Sequence, residues 1–345
     1  MKKKILKITG LLLLLVLGIL IAVPFFLEAK IGDLIKNNVN KNINATLDFS
    51  EVNLSLLRSF PKAELRIQDL YLLTKDPFEG DTLFKSKSIS LEMGIKELLK
   101  GAGEPITINT LILDKAVLKL KTDKQQNANY EIAKERGTKS EIDTEAGGFT
   151  FNLESFQLMN SAIIYEDLSS GVLLEMTDIE HTGKGDLSLE LSELETQTSA
   201  LVSFELDSTR YLDNTKVNLD ALIGVDLKTN TYSFLKNEGF INQLPLVFEG
   251  FVRNFEEKQE VAIKFKTPSS EFDNFLAVIP EIYSQNIKDV QTTGIFNIAG
   301  ELAGIIDDEL GETQRHPRCL GFITFHINQL LMVDGELLPK FGPLG

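Results

Sequence analysis

One cysteine, no tryptophan and three histidines are found among 345 residues. The lone Cys319 excludes an intrachain disulfide, so burial and hydrogen bonds must hold the fold. His316, Cys319 and His326 lie near one another in the sequence, but their spacing matches no zinc ligand set and no fourth ligand is evident, so no metal is expected. His181 stands alone in a polar stretch and reads as a solvated loop residue. Basic residues are also few: 35 Lys and Arg against 50 Asp and Glu give a net charge of −15, which argues against a nucleic-acid partner. There is no G-x-S-x-G elbow and no EF-hand loop. Gly101-x-Gly103 and Gly183-x-Gly185 lack a Walker lysine or a third glycine and read as turns. Nothing nominates a carboxylate pair. The expectation is a protein that is not an enzyme and carries no cofactor.

What the chain does have is a long apolar run. Residues 5–27 read ILKITGLLLLLVLGILIAVPFFL, with Lys7 as their only charge and Lys2, Lys3 and Lys4 before them. As a helix this run reaches about 34 Å, against about 30 Å of hydrocarbon in a bilayer. A cleaved signal is the competing reading, but it has a shorter apolar region and a small-x-small site, which Phe25, Phe26, Leu27 and Glu28 do not supply. A retained signal anchor is expected, a transmembrane helix at 5–27 with residues 1–4 cytoplasmic and the body exported. Ile31, Leu34, Ile35, Val39 and Ile43 are then spaced by three and four, one face of an amphipathic helix. That helix can pack on the start of the body or lie at the membrane surface. Packing is expected, and both can hold.

From Thr46 the period becomes two. Leu47 and Phe49 alternate with polar residues, and Val52, Leu54 and Leu56 do so one step out of phase, which predicts a bend near Ser50. Alternation resumes at Leu65 and Ile67, Ile89 and Leu91, Ile106 and Ile108, Leu118 and Leu120, and Phe149 and Phe151. It continues through Val202, Phe204, Val217, Leu219, Val261 and Ile263. Phe60-Pro61 and Asp76-Pro77 mark turns, and residues 134–148 (KERGTKSEIDTEAGG) have no apolar period and read as a flexible loop. Phe272, Phe275, Leu276 and Ile279 suggest a short helix. Short strands recurring with few helices predict a mostly β protein with a long, mainly antiparallel sheet. Most strands have one apolar and one polar face. A closed core and an open trough satisfy that pattern equally well.

The order of several stretches resembles a known family. Asp48-Phe49 is followed by VNLSLLRSFP (52–61), LRIQDL (65–70) and ITINTLILDKAV (106–117), then by Asn129-Tyr130, FTFNLESFQLMNSAIIYED (149–167) and INQLPLVFEG (241–250). Together with FDNFLAVIPEIY before TTGIFNIAG, these resemble the Bacteroidetes-type AsmA proteins, which are anchored in the inner membrane of Gram-negative envelopes. The likeness covers about residues 1–304. This family is similar in its amino-terminal region to the chorein-type bridge-like lipid transfer proteins. The resemblance implies an open, curved, taco-like β-groove that shields acyl chains and supports phospholipid transport between inner and outer membranes and outer-membrane biogenesis. It also implies a single-pass inner-membrane protein with its body in the periplasm. The implied partners are phospholipid, the inner membrane, and outer-membrane or periplasmic envelope proteins. Residues 307–318 (DDELGETQRHPR) depart from the pattern, and 305–345 read as an atypical tail of a truncated or frame-disturbed member.

The organisation expected is therefore an anchor (5–27), an amphipathic helix with the first part of a groove (28–133), a loop (134–148), a continued groove (149–304) and a tail (305–345). Groove lining is assigned to Leu47, Phe49, Leu65, Ile67, Ile89, Leu91, Ile106, Ile108, Phe149 and Phe151. The alternative is a membrane-tethered periplasmic scaffold with a closed β-core that binds envelope proteins and moves no lipid. Leu91→Asp or Phe151→Asp separates the two, since a trough tolerates a charge that unfolds a closed core.

Overall fold

The computed structural model describes residues 2–100, 106–134, 149–186, 189–255, 258–268, 270–271, 274, 278, 292–293, 295–307, 320–327, 332–333 and 336–337. The loop at 134–148 therefore falls almost wholly outside the described residues, as do most of the helix at 272–279, His316 and Cys319.

One helix, α1 (Lys2–Asn42), opens the chain. The separate anchor and amphipathic helices expected from the sequence are a single element that runs through Pro24. Proline removes one backbone donor. Leu20 and Leu27 on either side of it, followed by Ile31, Ile35 and Val39, nevertheless pack on one core, which holds a common helical register through the proline. The side chains of residues 2–17 are outside the described residues. Among the described residues no helix is long and apolar enough to cross a membrane.

Strands follow: β1 (Ala45–Asp48), β2 (Glu51–Ser55), β3 (Lys62–Thr74), β4 (Thr82–Gly94), β5 (Ile106–Asp114), β6 (Val117–Thr122) and β7 (Phe149–Asp167). They continue with β8 (Val172–Lys184), β9 (Leu191–Leu206), β10 (Thr209–Asp226), β11 (Thr231–Ile241), β12 (Leu244–Asn254) and β13 (Lys258–Lys266). Shorter pieces close the chain: β14 (Ser270–Glu271), β15 (Thr292–Thr293), β16 (Ile295–Phe296), β17 (Ile298–Asp307), β18 (Leu320–Ile327), β19 (Met332–Val333) and β20 (Glu336–Leu337). The main sheet has the order β1-β3-β4-β5-β7-β8-β9-β10-β11-β12-β13-β17-β18, with β2 on β3 and β6 on β4 and β7. Its ladders are antiparallel from β8 onwards. β5 and β7 pair in parallel, so the sheet is mixed, and β6 lies in the connection between them. Within the tail, β18 pairs with β17 from Ile298↔Ile327 to Ile305↔Leu320.

The chain divides into two compact units, Met1–Lys121 with Asn127–Ser161, and Thr122–Gln126 with Ala162–Gly345. In the first, the bend near Ser50 is real. β1 and β2 both pair with β3, and the break between them faces Asp69, whose φ of 49° takes it out of regular extension.

The same helix protects the edge that β1 and β2 would otherwise leave unpaired. Asn40 donates from Nδ2 to the Leu47 carbonyl at 2.9 Å and accepts the Leu47 N–H on Oδ1 at 2.6 Å, as a neighbouring strand would. Glu28 accepts the Leu54 N–H at 2.8 Å. Lys36 donates to the Phe49 carbonyl at 3.2 Å, lies 4.4 Å from the Phe49 ring centre and pairs with Asp48. The hydrogen bond from Lys36 holds the Asp48 carboxyl below its usual range. Exposed strand edges invite pairing with other chains, and side chains of α1 replace the missing strand here.

Asn40→Ala should cost about 1–3 kcal/mol, since it strips two partners from Leu47 at once. Chemical denaturation of the detergent-solubilised chain reads this directly, with the exposed Asn37→Ala as a change that leaves the midpoint in place.

Candidate functional site

Two sheet faces, one in each unit, carry the apolar residues, and they differ in what covers them. In the first unit the cover is α1. Phe49, Val52, Leu54, Leu56, Leu65, Ile67, Ile89, Leu91, Met93 and Ile108 are 1–9% exposed and form one cluster with Ile35 of the helix. Leu47 is partly buried against it. Seven of the ten residues nominated as lining, Leu47, Phe49, Leu65, Ile67, Ile89, Leu91 and Ile108, are thus in or against a core that the helix closes. Ile106, Phe149 and Phe151 are on β5 and β7, where Ile106 faces Phe149 and Ile108 faces Phe151 across the parallel ladder, and of these three the side chains lie outside the described residues.

In the second unit the register assigns each side chain to a face, because directly opposed residues point the same way. Leu174 faces Phe204 and Met176 faces Val202. Ala200 faces Val217, and Leu194 faces Ile223. The series continues with Ile241 opposite Val217 and Phe234 opposite Ile223. Val252 meets Val261, Phe248 meets Phe265, and Ile263 meets Leu302. No Lys, Arg, Asp or Glu occupies these positions. The opposite face carries Glu175, Glu180, Lys184, Glu195, Lys216, Asp220, Glu238, Glu249, Lys264 and Glu301.

Most of the apolar positions are only partly buried. Ile179, Ala200 and Val202 form a small buried cluster, while Phe204, Val217, Leu219, Ile223, Phe234, Phe248, Val252, Val261, Ile263 and Phe265 keep part of their surface open. Phe234 and Phe248 meet edge to face at 5.3 Å, so the face is continuous across β11 and β12. Gly250 sits within it at φ 139°, where a Cβ would stand 1.9 Å from the Ala262 carbonyl oxygen, so β12 and β13 approach too closely there for any side chain. No helix of this unit covers the face among the described residues.

His181 lies on this face in β8, opposite Thr198, which corrects the reading of a solvated loop residue. Its Nδ1 is 2.8 Å from the Thr198 hydroxyl, and burial lowers its pKa, so the face is neutral at physiological pH. A recess of about 760 Å³ at the strand ends mixes apolar and charged lining, with exposed Leu189, Leu191 and Leu235 beside Asp226, Thr231 and Arg253. Arg253 is engaged there by Thr231 at 3.0 Å and Glu260 at 3.2 Å. Among the described residues no cluster of His, Cys, Asp or Glu could hold a metal.

The strands that build the open face were legible as alternating runs. Nothing in alternation tells a covered face from an uncovered one, and α1 covers the face that holds seven of the nominated residues.

Two outcomes follow. Leu91→Asp puts an unpaired charge in a closed core and should cost several kcal/mol, whereas Ile263→Asp on the partly open face should cost much less, as thermal melts of both will tell. For His181, the unfolded chain takes up a proton at its ordinary pKa of about 6.5 while the folded chain resists it. Stability supplied by the neutral ring is therefore complete above that pH and is lost as pH falls through the lower folded value. Melts at descending pH should show a larger loss for the natural chain than for His181→Gln.

A family model described as AsmA family matches residues 1–237. No curated protein and no solved structure matches the chain.

Proposed function

The chain belongs to the AsmA family, and on that premise we propose that it is an inner-membrane-anchored envelope protein whose open apolar sheet face shields lipid acyl chains. In this reading residues 5–27 of α1 span the membrane, residues 1–4 stay in the cytoplasm, and the body lies in the periplasm. The shielding supports movement of phospholipid between inner and outer membranes and outer-membrane assembly. The observation that carries it is the uncharged, partly open face running from Leu174 and Met176 on β8 to Phe265 on β13. Covering acyl chains is worth about 0.8 kcal/mol for each CH₂ removed from water, and the charged opposite face keeps such a sheet wetted. The task needs no catalytic side chain and no cofactor, and we propose none.

The rival scaffold reading draws on one observation, the closed core under α1. That core accounts for the first unit by itself. It leaves the partly open apolar face of the second without a purpose, which is why lipid shielding is preferred.

Lipid extraction and mass spectrometry on the full chain, purified in mild detergent from a bacterial envelope, test the proposal. Phospholipid should co-purify, and Ile263→Asp should lower its occupancy severalfold with the fold intact. Lys266→Asp, exposed on the polar face and opposite Val247 and Ala299, should not. A folded natural chain free of lipid would move the assignment to the scaffold.

A further inference from the structure

In the first unit α1 and the strands after it run antiparallel side by side. Asn40 meets Leu47, Lys36 meets Phe49 and Glu28 meets Leu54. Twelve helical residues rise about 18 Å and seven strand residues about 23 Å, so the two advance together. Two residues past Leu54, Leu56 is still in the core, and the turn at 57–61 then lies level with the helix around residues 20–26. At that level α1 turns Leu20 and Leu27 to the core and leaves Phe25 74% and Phe26 82% exposed. The turn does the same, with Leu57 44% and Phe60 65% exposed. Residues 56–62 read LLRSFPK, which offers two cations and no carboxylate, although the net charge of the chain is −15. Arg58 and Lys62 reach Glu64 at 3.6 Å and Glu154 at 3.3 Å, both outside the turn.

We propose that the turn at 57–61 is a second membrane-contact element, seated with Phe25 and Phe26 in the headgroup region of the bilayer that α1 enters. Lipid is the occupant because the apolar run leads straight to this level, with no charged residue between Lys7 and Glu28. Aromatic and apolar side chains beside cations suit the boundary between headgroups and acyl chains. Two contacts, one helical and one from a turn, fix the tilt of the first unit against the membrane, which a single helix cannot do. The inference rests on the anchor proposed above.

The test uses the full chain in vesicles of phosphatidylethanolamine and phosphatidylglycerol, with Cys319→Ser as background and one environment-sensitive label per variant. Nitroxide lipids quench labels at or below the headgroups. Phe60→Cys and Leu57→Cys should be quenched like Phe26→Cys, by about twofold or more over Glu79→Cys. Glu79 lies in the turn at the other end of β3, thirteen residues or about 40 Å away. Quenching at 57 and 60 no stronger than at 79, with Leu12→Cys and Phe26→Cys quenched, would overturn the inference and leave the anchor standing. An unquenched Leu12→Cys would overturn the anchor and this inference with it.

Discussion

A sheet with one apolar face must put that face against something, and this constraint organises the whole molecule. The second unit supplies no helix for its own apolar face among the described residues. The first supplies α1, which buries Ile35 against Phe49, Leu65 and Leu91. The contrast is chemical before it is functional. Residues such as Ile108 and Met93 are sealed, while Ile263, Phe265 and Phe248 keep surface in reserve. A protein that had only to fold would gain by covering the second face as it does the first, at about 25 cal/mol for each Å² buried.

α1 also shows how much one element can be asked to do. Its apolar side closes a core, its polar side chains Asn40, Glu28 and Lys36 complete the hydrogen bonding of an edge, and its exposed Phe25 and Phe26 point away from the protein. These tasks fall on different sides of the helix. The polar residues of 28–43 are therefore partners of the sheet as well as of water. Lys134, from beyond β6, reaches the last carbonyls of the helix at Asn40 and Lys41, where a cation suits the end of a helix dipole.

The class of fold and much of the order of strands could be read from the chain. Alternation of period two located β2, β5, β10 and β13, and the phase slip after Phe49 located the break between β1 and β2. Three features could not be read. The single helix could not be read, because the change at Glu28 from an apolar run to a three-four spacing suggests two elements, yet the core contacts of Leu20, Leu27 and Ile31 run across it. The parallel pairing of β5 with β7 depends on a crossover, which no local pattern records. His181 looked solvated because its neighbours Glu180 and Thr182 are polar, but in a strand those neighbours belong to the other face. No lining residue beyond Phe151 is nominated from the sequence, for a related reason: alternation does not record whether a helix covers a face.

Photo-cross-linking inside a living envelope shows what touches the apolar face of the second unit. A photoreactive residue at Ile263 and another at Lys264 differ by one position and by the face they occupy. A lipid-shielding face gives phospholipid adducts at 263 and none above background at 264, repeated for Phe265 against Lys266. Equal labelling at neighbouring positions, or adducts to protein alone at 263, would contradict a lipid-shielding face.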